Sequence, residues 1–247
     1  MKTFYFSLSF LTFAFWILTY NPHTAEAGTI INRPLAIGLN RGLVGHWTFD
    51  GNDLNTATGT AYDISGNRNH GALTNGPNPK SGRIGQALEF DGSNDYVEVT
   101  PTSLGMTYTV SAWVKAESLP ANSEIYTQRS ATPVKFQLDT LNRDARFIVR
   151  DDAGVSAAAS YSSGLLIGAW YHVAGVRNGN TVSVYVNDVQ GTNGSATFGT
   201  VSTGGNEKIG VLANDDSLPF NGLIDDVRVY NRILSATEIK RLYNMGR

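Results

Sequence analysis

Apolar residues in this chain recur at every second position in short runs, and Gly, Asn, Asp or Ser closes each run. A period of two puts alternate side chains on opposite faces of a strand, whereas a helix needs a period near 3.6. Tyr108, Val110, Ala112 and Val114 fall on one face of such a run, and Thr109, Ser111, Trp113 and Lys115 on the other. Val182, Val184 and Val186 alternate in the same way with Ser183 and Tyr185. Similar stretches cover 43–50, 85–90, 96–99, 124–128, 135–139, 146–150, 170–177, 208–212 and 222–230. With these, about a dozen short strands are predicted, the pattern of an all-β sandwich. Asn178-Gly179-Asn180 tolerates the positive φ of a tight hairpin turn. The gaps between runs hold no helix, which excludes a βαβ sheet. One helix is predicted at the end, where Ser235 and Glu238 form a capping box ahead of Ile239, Leu242 and Tyr243.

The 247 residues include no cysteine, so disulfides, thiol catalysis and Cys-bound zinc are excluded. A net charge of −2, with Lys and Arg scattered, gives no field for nucleic acid. Residues 1–27 read as a signal peptide: Met1-Lys2, an apolar stretch over 4–20, then Ala25-Glu26-Ala27 as a small-x-small cleavage site. The alternative is an uncleaved anchor, since the apolar stretch approaches membrane-spanning length. Either way the rest is expected outside the cytoplasm, secreted or in the cell envelope, with no membrane span after cleavage. Residues 28–41 read as a linker or loose first strand, and 42–247 as a single domain. Asn193-Gly194-Ser195 is a glycosylation sequon, relevant only in a eukaryotic secretory pathway.

Seven segments in order carry a family resemblance. They are Gly42-Leu-Val-Gly-His-Trp-Thr-Phe-Asp50, Asp63-Ile-Ser-Gly-Asn-Arg-Asn-His-Gly71, the stretch 85–99, Val110-Ser-Ala-Trp-Val114, Trp170-Tyr-His-Val-Ala174, Tyr185-Val-Asn-Asp-Val189 and the stretch 220–235. The chain resembles the laminin-G-like, concanavalin A-like jelly-roll domains of bacterial extracellular proteins over roughly 42–247. That resemblance implies a two-sheet antiparallel jelly roll with a short C-terminal helix. It says less of function, because the fold hosts lectins, carbohydrate-binding modules, glycosidases and adhesion domains.

Catalytic signatures are sparse. A laminarinase-type glycosidase needs two carboxylates about 5–5.5 Å apart, and the nearest run, Glu89-Phe90-Asp91-Gly92-Ser93, has serine at its third acidic place. There is no Gly-x-Ser-x-Gly elbow and no His-Glu-x-x-His helix. His46 and His172 sit beside Trp47 and Trp170 on strands, where packing is the better role. The expectation is therefore a non-catalytic module that binds a polysaccharide or glycoconjugate, or acts in adhesion. The alternatives are a structural or protein-interaction module of the envelope and a glycoside hydrolase.

Asp63, Ser65, Asn67 and Asn69 set oxygen-bearing side chains at alternate loop positions, as a hard cation prefers. Members of the resembled family often carry a structural calcium, and the resemblance makes Asp63 a candidate ligand with Asp225 as its distant partner and Asp91 and Asp95 as further candidates. The competing reading is that these side chains cap turns. For a sugar, Trp47, Trp113 and Trp170 read as structural. If Phe136, Leu138, Phe147 and Val149 face the core, alternation turns Lys135, Gln137, Asp139, Arg146 and Arg150 outward, and Tyr126 with Glu124 and Gln128 is expected to share that surface. Loops near Tyr62, Asn94 and Tyr161 are alternative sites.

Overall fold

The computed structural model describes residues 38–247 except 120–121, 130–133, 163, 203–204 and 214, and except the side chains at 134 and 135. All belong to the compact unit Pro34–Arg247. The expected export segment, most of the linker and the outward placing of Lys135 lie outside the described residues.

The described chain forms strands and one helix. The first strands are β1 (Leu43–Trp47), β2 (Leu54–Asn55), β3 (Thr60–Ala61), β4 (Gly71–Thr74), β5 (Asn78–Ser81), β6 (Gln86–Asp91) and β7 (Tyr96–Val99). The middle strands are β8 (Thr107–Ala116), β9 (Asn122–Arg129), β10 (Val134–Leu141), β11 (Asp144–Arg150) and β12 (Ser156–Tyr161). Then come β13 (Tyr171–Asn178), β14 (Thr181–Val186), β15 (Val189–Ser195), β16 (Asn206–Ile209), β17 (Asn221–Tyr230) and the helix α1 (Ala236–Met245). They build an eight-stranded sheet, β15-β14-β13-β8-β17-β6-β5 with β1 also on β17, and a nine-stranded sheet, β12-β11-β10-β9-β16-β7-β4-β3-β2. Every pairing is antiparallel, as in a two-sheet sandwich.

The alternation read from the sequence decides what lies between the sheets. Tyr108, Val110, Ala112 and Val114 of β8 meet Phe136, Leu138, Phe147 and Val149 in one core with Trp47 and Val184. A second cluster forms on the outer side of the eight-stranded sheet, where Ile239 and Leu242 of α1 cover Val176, Tyr185 and Tyr230 with Leu39. Tyr243 stacks on Trp113, with ring centroids 5.7 Å apart. The capping box starts the helix as expected: Ser235 Oγ accepts from Glu238 N, and Glu238 accepts from Ser235 N at 2.9 Å.

Two irregularities shape the ends of the sandwich. On one side β17 pairs with β6 over Asn221–Ile224 and with β1 over Val227–Tyr230, and at the changeover Asp226 adopts φ 49° within a bulge. Along one flank the outermost strands β12 and β15 touch: Thr192 Oγ1 donates to Ser160 O at 3.0 Å. A Cβ on Gly194 would lie 2.1 Å from Ala158 O, so glycine is what lets the two edges approach.

Candidate binding face

The outer face of the nine-stranded sheet carries a continuous ladder of side chains. Thr60, Ala72, Glu98, Lys208, Thr127, Gln137, Ile148 and Ala158 are successive register partners from β3 to β12. Strand spacing makes that row about 34 Å long. A second row sets Glu124, Asp139, Arg146 and Ser160 side by side.

Four of the five residues expected to meet a ligand come together here. Arg150 Nη1 donates to Gln137 Oε1 at 2.9 Å, and Gln137 Nε2 to Glu124 Oε1 at 2.6 Å. Arg146 grips Asp139 with two hydrogen bonds, of 2.9 and 2.7 Å, and reaches Asn122 Oδ1 at 3.2 Å. Alternation predicts an open surface, yet Glu124 and Asp139 have no solvent exposure and Gln137 only 5%. Burial raises the pKa of Glu124 well above the usual range, and the Asp139 charge adds to it. Burial also raises Asp139, against the pull of Arg146. Glu124 Oε2 is buried with no hydrogen-bond partner. These groups mainly satisfy one another, forming a braced floor.

Tyr126 corrects the sequence expectation. Glu124, Tyr126 and Gln128 have the same parity and should share a face. A bulge intervenes: Leu138 pairs with Tyr126, but the next residue, Asp139, pairs with Glu124, leaving Ile125 as the extra residue. Glu124 therefore joins the outer face, while Tyr126 and Gln128 turn inward opposite Leu138 and Phe136. The Tyr126 ring stacks on Phe136 at 5.7 Å, and its hydroxyl donates to Glu207. Glu207, which no motif in the sequence marks, is a buried hub that also accepts from Thr102 N at 2.7 Å and from Gln128 Nε2. Burial pushes its pKa up to about 7 despite those donors.

The candidate metal ligands separate. Asp63 has four donors of its own: His46 N, Ser65 N, Ser65 Oγ and Asn69 N, at 2.8 to 2.9 Å. That is the work of a turn cap. Asp91 Oδ1 accepts from Ser93 N at 2.8 Å and Asp95 Oδ2 from Asp91 N at 3.1 Å, so both belong to the turn after β6. Asp225 differs. It sits at the β17 changeover, and its Oδ2 accepts from Arg83 N and Ile84 N at 2.7 and 2.8 Å. Its Oδ1 is buried without a partner. Burial pushes its pKa up to about 7, with Asp226 and Asp50 adding repulsion against the two N–H donors. Among the described residues no three acidic or histidine side chains converge as a ligand set. The orphaned Asp225 Oδ1 is the one oxygen of this group that a hard cation could take up; Asp50 Oδ1 already accepts from Gln86 N at 2.7 Å.

No catalytic pair stands out among the described residues of the other sheet. Glu89 is ion-paired with Lys80 at 3.2 Å and lies between Leu223 and Asn78. His46 Nε2 lies 2.7 Å from the Asp226 carboxylate, and His172 is fully buried, its pKa lowered by burial to about 4. Of the alternative loops, Tyr62 packs edge-on against His70, Asn94 O accepts from Asn75 at 2.8 Å, and Tyr161 leans on the core. Among the described residues no helix is long and apolar enough to cross a membrane.

No curated protein matches the chain in sequence. Among solved structures, domain 4 of an extracellular arabinanase from Geobacillus stearothermophilus, determined with arabinotriose, superposes with a TM-score of 0.62 at 24% identity, over 81% of this chain and 98% of that one. The binding domain of Paraclostridial Mosquitocidal Protein 1 gives 0.68 at 15% identity, over 84% of this chain and 53% of that one. The botulinum neurotoxin serotype D binding domain gives 0.65 at 15%, over 83% and 51%. The chain thus spans about half the length of these toxin domains, and at such identities the likeness is one of fold. The sequence profile described as the concanavalin A-like lectin/glucanases superfamily matches residues 91–240, more than half of the chain. With the sandwich and its terminal helix in place, the chain belongs to the concanavalin A-like lectin/glucanase superfamily.

Proposed function

We propose that this chain is an exported, non-catalytic module that binds a neutral polysaccharide or glycoconjugate on the outer face of its nine-stranded sheet. The observation that carries this reading is the ladder from Thr60 to Ala158, open to solvent at Glu98 and partly so at Thr60, and braced further along by the buried hydrogen-bonded floor of Gln137, Glu124, Asp139 and Arg146. Planar amides, carboxylates and guanidinium groups held rigidly are what orient sugar hydroxyls. Glu124 and Asp139 face each other across two strands, yet Arg146 holds Asp139 and both lie out of reach of substrate, so the pair supports binding geometry and not hydrolysis. The fold shared with an arabinanase domain solved with arabinotriose makes arabino-oligosaccharides a first probe.

A structural cation, calcium by its hard-oxygen preference, is part of the proposal, held by Asp225 Oδ1 with Asp50 beside it. There it would tie the 82–86 loop to β17, since Asp225 and Asp50 already hold the backbone N–H groups of Arg83, Ile84 and Gln86. A second reading, attachment to a protein partner, draws on Leu166 and Ile167, exposed to 57% and 60% in the loop before β13. A glycan array run in calcium and again in EDTA tests the proposal. Binding to at least one neutral glycan without release of reducing ends is expected. Silence on every glycan by a folded protein would favour the protein partner, and release of reducing ends would establish a hydrolase.

A further inference from the structure

At one end of the ladder, where β3, β4 and β7 adjoin, a cleft of about 470 Å³ opens, lined by Thr58, Thr60, His70, Ala72, Glu98 and Pro101 among others. The loop 63–70 aims a histidine at it. Asp63 N donates to His70 Nδ1 at 3.0 Å. A nitrogen that accepts from a backbone N–H carries no hydrogen, so in the neutral ring the hydrogen sits on Nε2. The rest of the loop fixes this arrangement. The Asp63 carboxylate is locked by its four donors, Asn69 Nδ2 donates to Val44 O at 2.8 Å, and Trp47 Nε1 donates to Asn69 O at 3.0 Å. His70 O accepts from Thr100 N at 3.2 Å, and the Tyr62 ring stands edge-on to the imidazole at 5.3 Å. The oxygen-rich loop that resembles a cation site in the sequence is thus a rigid mount for His70.

Across the cleft, Glu98 is exposed and accepts no hydrogen bond from the described residues; its register partner Lys208 attracts it through space but is held by Asp216. Thr58 and Thr60 share a hydrogen bond of 3.1 Å between their hydroxyls, and Thr58 Oγ1 also donates to Asn55 O at 3.5 Å, so Thr60 is the donor of the pair and each hydroxyl keeps capacity to accept. The lining therefore offers one oriented donor, one exposed carboxylate acceptor and two hydroxyl oxygens able to accept. Apart from the imidazole it holds no aromatic ring on which the flat apolar face of a pyranose could stack.

The geometry points to this cleft as a subsite for the hydroxyl edge of a neutral sugar unit, with His70 Nε2–H donating to one hydroxyl oxygen and Glu98 accepting from neighbouring hydroxyls. Glu98 also excludes acidic sugars, because a uronate carboxylate would face it without an unpaired cation nearby. The assignment rests on the carbohydrate-binding role proposed above. It is tested by calorimetric titration of the full chain with neutral arabino-, xylo-, gluco- and manno-oligosaccharides and with an oligogalacturonate. Wild type is expected to bind a neutral series and not the uronate. Glu98→Gln, an exposed change that spares the fold, should weaken that binding about tenfold and His70→Ala by a similar factor, the loss of one well-made hydrogen bond. If wild type binds a neutral glycan and Glu98→Gln and His70→Ala bind it equally well, the cleft is the wrong place while the carbohydrate role stands. Preference for the uronate overturns the charge argument, and binding to nothing in the panel overturns both.

Discussion

Tyr126 stands at the junction of two environments, its ring in the core and its hydroxyl on a buried carboxylate. Tyr126→Phe keeps the ring and removes one donor from Glu207, so it should cost about 1–3 kcal/mol in urea unfolding and leave glycan affinity unchanged. Loss of affinity with unchanged stability would return Tyr126 to the binding face. Asp225 makes the second prediction at this scale. Its pKa rises from an ordinary 3.8 to about 7, so the folded state holds the proton more tightly than the unfolded chain does. Its contribution to stability is then fully present below about pH 4 and is lost as the pH rises through 7, at a limiting slope of about 1.4 kcal/mol per pH unit. Glu207 adds a loss of the same sign. His172, lowered from 6.5 to about 4, acts oppositely and removes stability as the pH falls between those values. In EDTA, Asp225→Asn should therefore lose less stability than wild type between pH 5 and 8. Calcium should raise the wild-type melting midpoint at pH 8 and leave the variant's unmoved, as binding to the folded form requires. A wild-type midpoint indifferent to calcium would remove the cation from the proposal. None of this is visible in the sequence, where Asp63 and Asp225 look alike; only the number of donors already engaged by each separates them.

Among elements, β9, β10 and β11 are held together in part by paired charges whose side chains are largely buried. Arg146→Ala would leave Asp139 buried without its partner, and about 3–5 kcal/mol of stability should go with it in chemical denaturation. A loss below about 1 kcal/mol, the range of an exposed pair, would show that water reaches this face freely. These strands are legible in the sequence because Phe136, Leu138, Phe147 and Val149 alternate cleanly with polar residues. The bulge at Ile125 is not, since one extra residue changes the facing of everything before it without altering composition. Six strands give no signal of their own. β12 is Ser156-Ala-Ala-Ala-Ser-Tyr161 and β15 is largely exposed, so neither has an apolar period, and contact between the two edges is what sets their place. β2, β3, β4 and β5 are two to four residues long, too short for a period to emerge.

For the molecule as a whole, the terminal helix is a lid on an otherwise wet side of the eight-stranded sheet. Removing residues 236–247 would uncover Val176, Tyr185, Tyr230 and Trp113 and forfeit the burial of Ile239 and Leu242, worth about 3–6 kcal/mol together. The truncated chain should melt lower and bind a hydrophobic dye; an unchanged melt would mean that the helix is ornamental to the fold. That helix also determines how the module can be mounted. Arg232 donates to Arg41 O and Gly38 O, and Leu39 packs into the cluster under α1, so the start of the described fold lies beside its end. Both lie on the side away from the ladder of Thr60 to Ala158. A partner or surface that contacts either end of the described fold therefore leaves the proposed binding face open on the opposite side of the sandwich.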